Sequence, residues 1–177
     1  MHRIFIGIAP PPQVCGMLVD AMHGIEHARW QTSEQLHCTL CYVGEIVAPL
    51  ANDLADALGT IRQPPFKLLI DGVGHFTRKD HPSAVYAAIS GDAGLEALRR
   101  KVNAACRSCG IVPDARRFIP HVTLARLNRS SGPIGPFLSV QARLASEPFA
   151  VNAFTLYESH LGNAGSFYEP VLRYALR

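Results

Sequence analysis

The sequence predicts an α+β fold, a single domain of 177 residues holding two β-α-β units in tandem. Three observations predict it. Short apolar runs of strand length alternate with stretches whose apolar residues recur at helical spacing. The phrase His-x-Thr-Leu is written twice, as HCTL from His37 and as HVTL from His121. Each copy follows one strand and one helix, 33 positions after Ile4 and 36 positions after Val85. Matched positions of this kind are what an internal duplication leaves behind, and a pseudo-two-fold would set the two phrases side by side or facing across a cleft.

RIFIGIA (residues 3–9) reads as a buried strand, stopped by Pro10, Pro11 and Pro12, which suit a turn and the first positions of a helix. Val14, Met17, Leu18, Ala21, Met22 and Ile25 carry that helix. Residues 35–43 form the second strand, ended by Gly44. Val47, Leu50, Leu54, Leu58 and Ile61 mark a second helix, and residues 66–73 a third strand. The polar stretch TRKDHPS (77–83) separates this half from the next, which opens with a strand at 84–89. Leu95, Leu98, Val102, Ala105 and Cys109 give the third helix, with Asp92 as its start cap and Gly110 as its stop. The strand at 119–127 carries the second phrase. A Gly, Pro and Ser-rich loop (129–136), a short helix at 137–144 and strands at 149–158 and 167–176 complete the chain.

Composition narrows the class of protein. Hydrophobic residues make up 48% and charged residues 18%, the balance of a chain that buries a core and not of a disordered one. The apolar run at 4–10 is far shorter than a membrane span, and no basic leader precedes it, so the expected location is cytoplasmic. A net charge of +3 suits an anionic ligand without identifying one. The five cysteines (Cys15, Cys38, Cys41, Cys106 and Cys109) are odd in number and without secretory context, which predicts free thiols. A monomer is the default expectation.

The repeated phrase carries chemistry because side chains alternate along a strand. His37 and Thr39 share one face and Cys38 and Leu40 the other; His121 and Thr123 likewise oppose Val122 and Leu124. The apolar partners belong to the core, so two imidazoles and two hydroxyls are expected to converge in one groove. Such a pair suits metal-free phosphodiester hydrolysis: a neutral imidazole takes a proton from water while an imidazolium protonates the departing alkoxide. Threonine hydroxyls would donate to the phosphoryl oxygens. The spacing does not say which histidine does which. Strict alternation puts Arg126 opposite His121, away from the groove unless the strand bulges.

Two other motifs point elsewhere. HGIEH (23–27) spells a zinc-peptidase pattern, but it falls where the first helix ends, with Gly24 inside it and no third ligand evident. CTLC and CRSC are two C-x-x-C pairs; on a strand Cys38 and Cys41 face opposite ways and cannot share a metal, while Cys106 and Cys109 share a helix face and are expected to pack as small apolar groups. No metal and no cofactor is expected.

RIFIGIAPPP, RWQTSEQLHCTLCYVGE, PPFKLLIDGVGHF, FIPHVTLARL and FTLYESHLGNAGSFYEPVLRYAL together resemble the 2H phosphoesterases, within them the RNA 2',3'-cyclic phosphodiesterases historically called 2'-5' RNA ligases. The resemblance covers nearly the whole chain. It implies a bilobal fold with antiparallel sheets flanking a central active-site groove, and hydrolysis of an RNA 2',3'-cyclic phosphate to a 2'-phosphate. It implies His37 as proton donor to the leaving 3'-oxygen, His121 as acceptor from water, and Thr39 and Thr123 as phosphate ligands. Arg126 matches a position that is commonly arginine in the family and would neutralise phosphate. Where relatives often carry a basic residue two positions before the second histidine, this chain has Ile119, with Arg116 and Arg117 slightly upstream as substitutes. Phe5 or Trp30 would offer a base a stacking face, or simply pack. The alternatives are formation of 2'-5' RNA linkages and a non-catalytic RNA or nucleotide-binding module.

Overall fold

The computed structural model describes residues 1–91, 93–162 and 165–177. Nine strands and four α-helices are present among them: β1 (His2–Ile8), α1 (Pro12–Ala21), β2 (Arg29–Trp30), β3 (Cys38–Ile46), α2 (Ala48–Gly59), β4 (Phe66–Arg78), β5 (His81–Gly91), α3 (Ala93–Ser108), β6 (His121–Arg126), α4 (Gly135–Val140), β7 (Phe149–Val151), β8 (Ala153–Gly162) and β9 (Gly165–Ala175). The expected cap of α3, Asp92, lies outside the described residues.

The strands join one curled antiparallel sheet in the order β7-β4-β5-β6-β3-β1-β8-β9, with β2 beside β6. Its centre is the β3–β6 seam, where Cys38 sits opposite Val122. On one side of the seam lie β1, β8 and β9, on the other β5, β4 and β7, so each half of the sheet contributes one His-x-Thr-Leu strand to the middle. Leu18, Leu54, Leu58, Leu98 and Val102 from the helices meet Ile6, Leu68, Val85, Val122 and Leu124 from the sheet in one core. The apolar helix periodicities at Leu54/Leu58 and Leu98/Val102 are the faces that dock.

Several boundaries differ from the sequence reading, each for a local reason. The first helix ends at Ala21: Gly24 at φ +88° and His27 at φ +54° turn the chain, yet Ile25 remains buried, so an inward-facing turn imitates helical spacing. HGIEH therefore lies on a turn beyond the helix and its two histidines share no helix face. The second strand begins at Cys38, because Ser33–Gln35 is a 3-10 turn closed by a capping box between Thr32 and Gln35. Gly44, expected to end that strand, sits within it at φ +86°. TRKDHPS is mostly the tip of a long β4–β5 hairpin, turning at Lys79 and Asp80, both at positive φ. The expected strand at 149–158 is two strands: Phe149–Val151 pairs with β4, and beyond Asn152 the chain crosses to pair with β1.

Candidate active site

The two phrases are adjacent at the seam, antiparallel, and use the same local structure. His37 immediately precedes β3 and its Nδ1–H donates to the Gln35 carbonyl at 2.7 Å; His121 opens β6 and its Nδ1–H donates to the Ile119 carbonyl at 2.6 Å. In both, the acceptor is two residues upstream. Committing Nδ1 to a carbonyl fixes the tautomer and leaves Nε2 as the free nitrogen. Gln35 is itself held from two sides: its Oε1 accepts from the Thr32 amide at 2.9 Å and its Nε2 donates to the Ser166 carbonyl of β9.

Aromatic rings fix the imidazoles laterally. His37 lies 4.6 Å from Phe5 and meets the edge of Tyr168 at 5.2 Å; His121 meets Phe76 edge-on at 4.8 Å and Tyr86 at 5.3 Å. Gly7 makes room on the β1 side, since a Cβ there would stand 3.0 Å from the Cys38 carbonyl oxygen and 3.4 Å from Cδ2 of His37.

The two strands also share one irregularity. Opposite β1, Gly7 pairs with Thr39 and Ile6 with Cys41, leaving Leu40 as an extra residue; opposite β5, Tyr86 pairs with Thr123 and Val85 with Ala125, leaving Leu124 extra. Leu40 and Cys41 are both buried, as are Leu124 and Ala125, and the residues that follow, Tyr42 and Arg126, emerge exposed into the groove. These bulges correct the strict alternation that would have turned Arg126 away from His121. They equally correct the opposed facing of Cys38 and Cys41: both are buried, and the Cys41 sulfur lies 3.8 Å from that of Cys106 on α3. All five cysteines are free thiols, and among the described residues no three metal-ligating side chains come together.

The groove has a volume of about 620 Å³, within the range of small-ligand sites, and gathers His37, Thr39, His121, Thr123 and Arg126, all expected from the sequence. Neither threonine hydroxyl has a hydrogen-bond partner among the described residues. Gln31, Phe76, Arg99, Asn103 and Tyr168 also line it and were not legible as site residues, because they arrive from elements whose docking the sequence does not specify. Phe5 and Trp30 are packing residues. Phe5 is 4% exposed and stacks on Tyr157 at 4.9 Å; Trp30 packs against Phe137 at 5.7 Å.

Burial pushes the pKa of His37 down from 6.5 to about 4, against the Gln35 hydrogen bond, with the charges of His121 and Arg126 adding to the fall. His121 is lowered too, first by burial and then by Arg126, against the Ile119 hydrogen bond. The protein's own groups therefore disfavour positive charge on both rings, and an anion seated between them would reverse that preference.

Comparison with known proteins shows the family to which a chain of this fold belongs. The profile of the 2'-5' RNA ligase superfamily covers residues 10–163. The chain belongs to that superfamily. It is 30% identical over 144 residues to an RNA 2',3'-cyclic phosphodiesterase of Geobacillus stearothermophilus, spanning 80% of this chain and about half, 46%, of that relative. It is 29% identical over 179 residues to the RNA 2',3'-cyclic phosphodiesterase of Escherichia coli K12, covering 99% of this chain and 97% of the relative. A crystal structure of E. coli LigT complexed with 3'-AMP superposes with a TM-score of 0.79 at 26% identity, over 99% of this superfamily member and 98% of that chain. No helix among the described residues is long and apolar enough to cross a membrane.

Proposed function

We propose that this superfamily member hydrolyses 2',3'-cyclic phosphate ends of RNA to 2'-phosphomonoesters, by paired imidazole acid–base catalysis without a metal. The observation that carries the reading is the matched pair of histidines, each locked by an Nδ1–H bond to a carbonyl two residues upstream, which leaves two free Nε2 atoms in one groove. The names of the E. coli and Geobacillus relatives support the substrate.

In the proposed reaction, neutral His121 takes a proton from the attacking water as the new P–O bond forms. The bond from phosphorus to the 3'-oxygen breaks, and imidazolium His37 protonates that oxygen. Thr39 and Thr123 donate to the non-bridging oxygens, and the Arg126 guanidinium balances the charge that builds on them. The anionic substrate raises the basicity of both rings, so His37 gains its proton as the phosphate arrives. Each proton transfer is worth about 10²- to 10⁴-fold in rate. In this reading the protein acts as a cytoplasmic monomer.

The test is hydrolysis of an oligoribonucleotide ending in a 2',3'-cyclic phosphate, in chelator, with the product identified by phosphorus NMR. A 2'-phosphate is expected, and it is lost in His37→Ala and in His121→Ala. No turnover, turnover only with added metal, or full activity in either variant refutes the proposal; tight binding of 2'-AMP without turnover would make the groove a binding site.

A further inference from the structure

The groove extends past the histidines toward α3, and the chemistry of that end is not used by the reaction above. Arg99 and Asn103, four residues apart on one face of α3, line it together with Arg116, Arg117 and Phe118 of the segment leading into β6. Asp114 lines it as well, but its carboxylate is taken by Arg116, whose Nε donates to it at 2.7 Å. Neither Arg99 nor Arg117 makes an ion-pair contact among the described residues, although the Arg99 charge helps to hold the Asp114 carboxyl below its ordinary range. The Arg99 guanidinium lies 4.3 Å over the Phe118 ring, which fixes its plane. Its Nε is shut off from solvent with no acceptor in reach. The Nε being enclosed, an anion in the groove meets the rest of the guanidinium, and a phosphate oxygen is the acceptor that suits a guanidinium oriented at a groove wall.

We propose that Arg99, with Arg117 and Asn103, forms a second anion site that holds the phosphate on the 5' side of the nucleotide whose cyclic phosphate sits between His37 and His121. The proposal rests on the cyclic phosphodiesterase reading. Phe118 is three residues from His121, at most about 10 Å of extended chain, a separation that one nucleotide spans. The consequence is substrate choice: ends that carry a 5'-side phosphate are bound better than bare nucleoside cyclic phosphates. A 5'-phosphomonoester and the phosphodiester linking a preceding nucleotide share the required chemistry, and separate substrates distinguish them.

The experiment compares kcat/KM on three substrates: a nucleoside 2',3'-cyclic phosphate, the same nucleoside with a 5'-phosphate, and a dinucleotide ending in the cyclic phosphate. The unmodified protein should prefer the second and third over the first by about tenfold or more, mainly through KM. Arg99→Gln should erase most of that preference, and Arg99→Lys should restore part of it. A preference for the dinucleotide alone would mean that the preceding nucleoside is recognised, not the phosphate, and would overturn the proposal. So would a preference that survives Arg99→Gln, or an equal loss on all three substrates. Turnover of all three at one rate by the unmodified protein defeats the second site only; turnover of none defeats the cyclic phosphodiesterase reading itself.

Discussion

Replacing His37 by glutamine should make the protein more resistant to acid, and the size of the effect follows from the burial of the ring. The unfolded chain binds a proton at His37 near the ordinary value of 6.5, whereas the folded chain does so only near 4. Well above pH 6.5 the imidazole is neutral in both states and makes no difference between them. As pH falls through 6.5 the unfolded state takes a proton that the folded state refuses, so folding loses free energy until about pH 4, where both are protonated. At about 1.4 kcal/mol per tenfold difference in proton affinity, the full gap amounts to about 3 kcal/mol, and roughly 2–3 kcal/mol of it is lost by pH 4.5. Glutamine has no proton to gain and escapes the penalty, while His121, present in both proteins, largely cancels. Urea unfolding at pH 7.5 and pH 4.5 measures it: the unmodified protein should lose roughly 2–3 kcal/mol more between the two pH values than His37→Gln does. Equal losses would refute the argument, because they would mean that the folded groove protonates His37 as readily as water does.

The same lowered basicities set the pH dependence of the reaction. Because kcat/KM reports the free protein, its bell should centre below pH 6.5, rising through the lower and falling through the higher of the two depressed folded pKa values, whereas kcat, which reports the substrate-bound groove, should peak at higher pH; a kcat/KM optimum above 7 would contradict the burial argument. Arg126→Ala should lower kcat/KM by about 10- to 100-fold through loss of a charge-assisted contact to phosphate, with unfolding by urea unchanged because the side chain is exposed; an active variant would mean that the bulge at Leu124 has no catalytic purpose. Gly7→Val should cost stability, about 1–3 kcal/mol, and lower kcat by at least about tenfold by pressing on Cys38 and His37, measured as kcat alongside the urea midpoint; an unaltered kcat would show that the imidazole is not held from β1.

The paired phrases were legible in the sequence because strand alternation is a short-range rule: once HCTL and HVTL are strands, His37, Thr39, His121 and Thr123 share faces whatever surrounds them. The helices at Leu54/Leu58 and Leu98/Val102 were legible for the same reason, their periodicity being written within a few residues. Only the tertiary structure decided the rest. The bulges at Leu40 and Leu124 exist relative to β1 and β5, and they alone turn Arg126 and Tyr42 into the groove. The crossing at Asn152, which splits one apolar run between two sides of the sheet, depends on which edge each piece meets. Arg99, Asn103, Phe76 and Tyr168 become site residues by docking over distances that no local pattern encodes. The low basicity of His37 is likewise a property of its enclosure by Phe5, Tyr157 and Tyr168, since desolvation depends on neighbours brought from β1, β8 and β9 and not on the residues beside it in the chain.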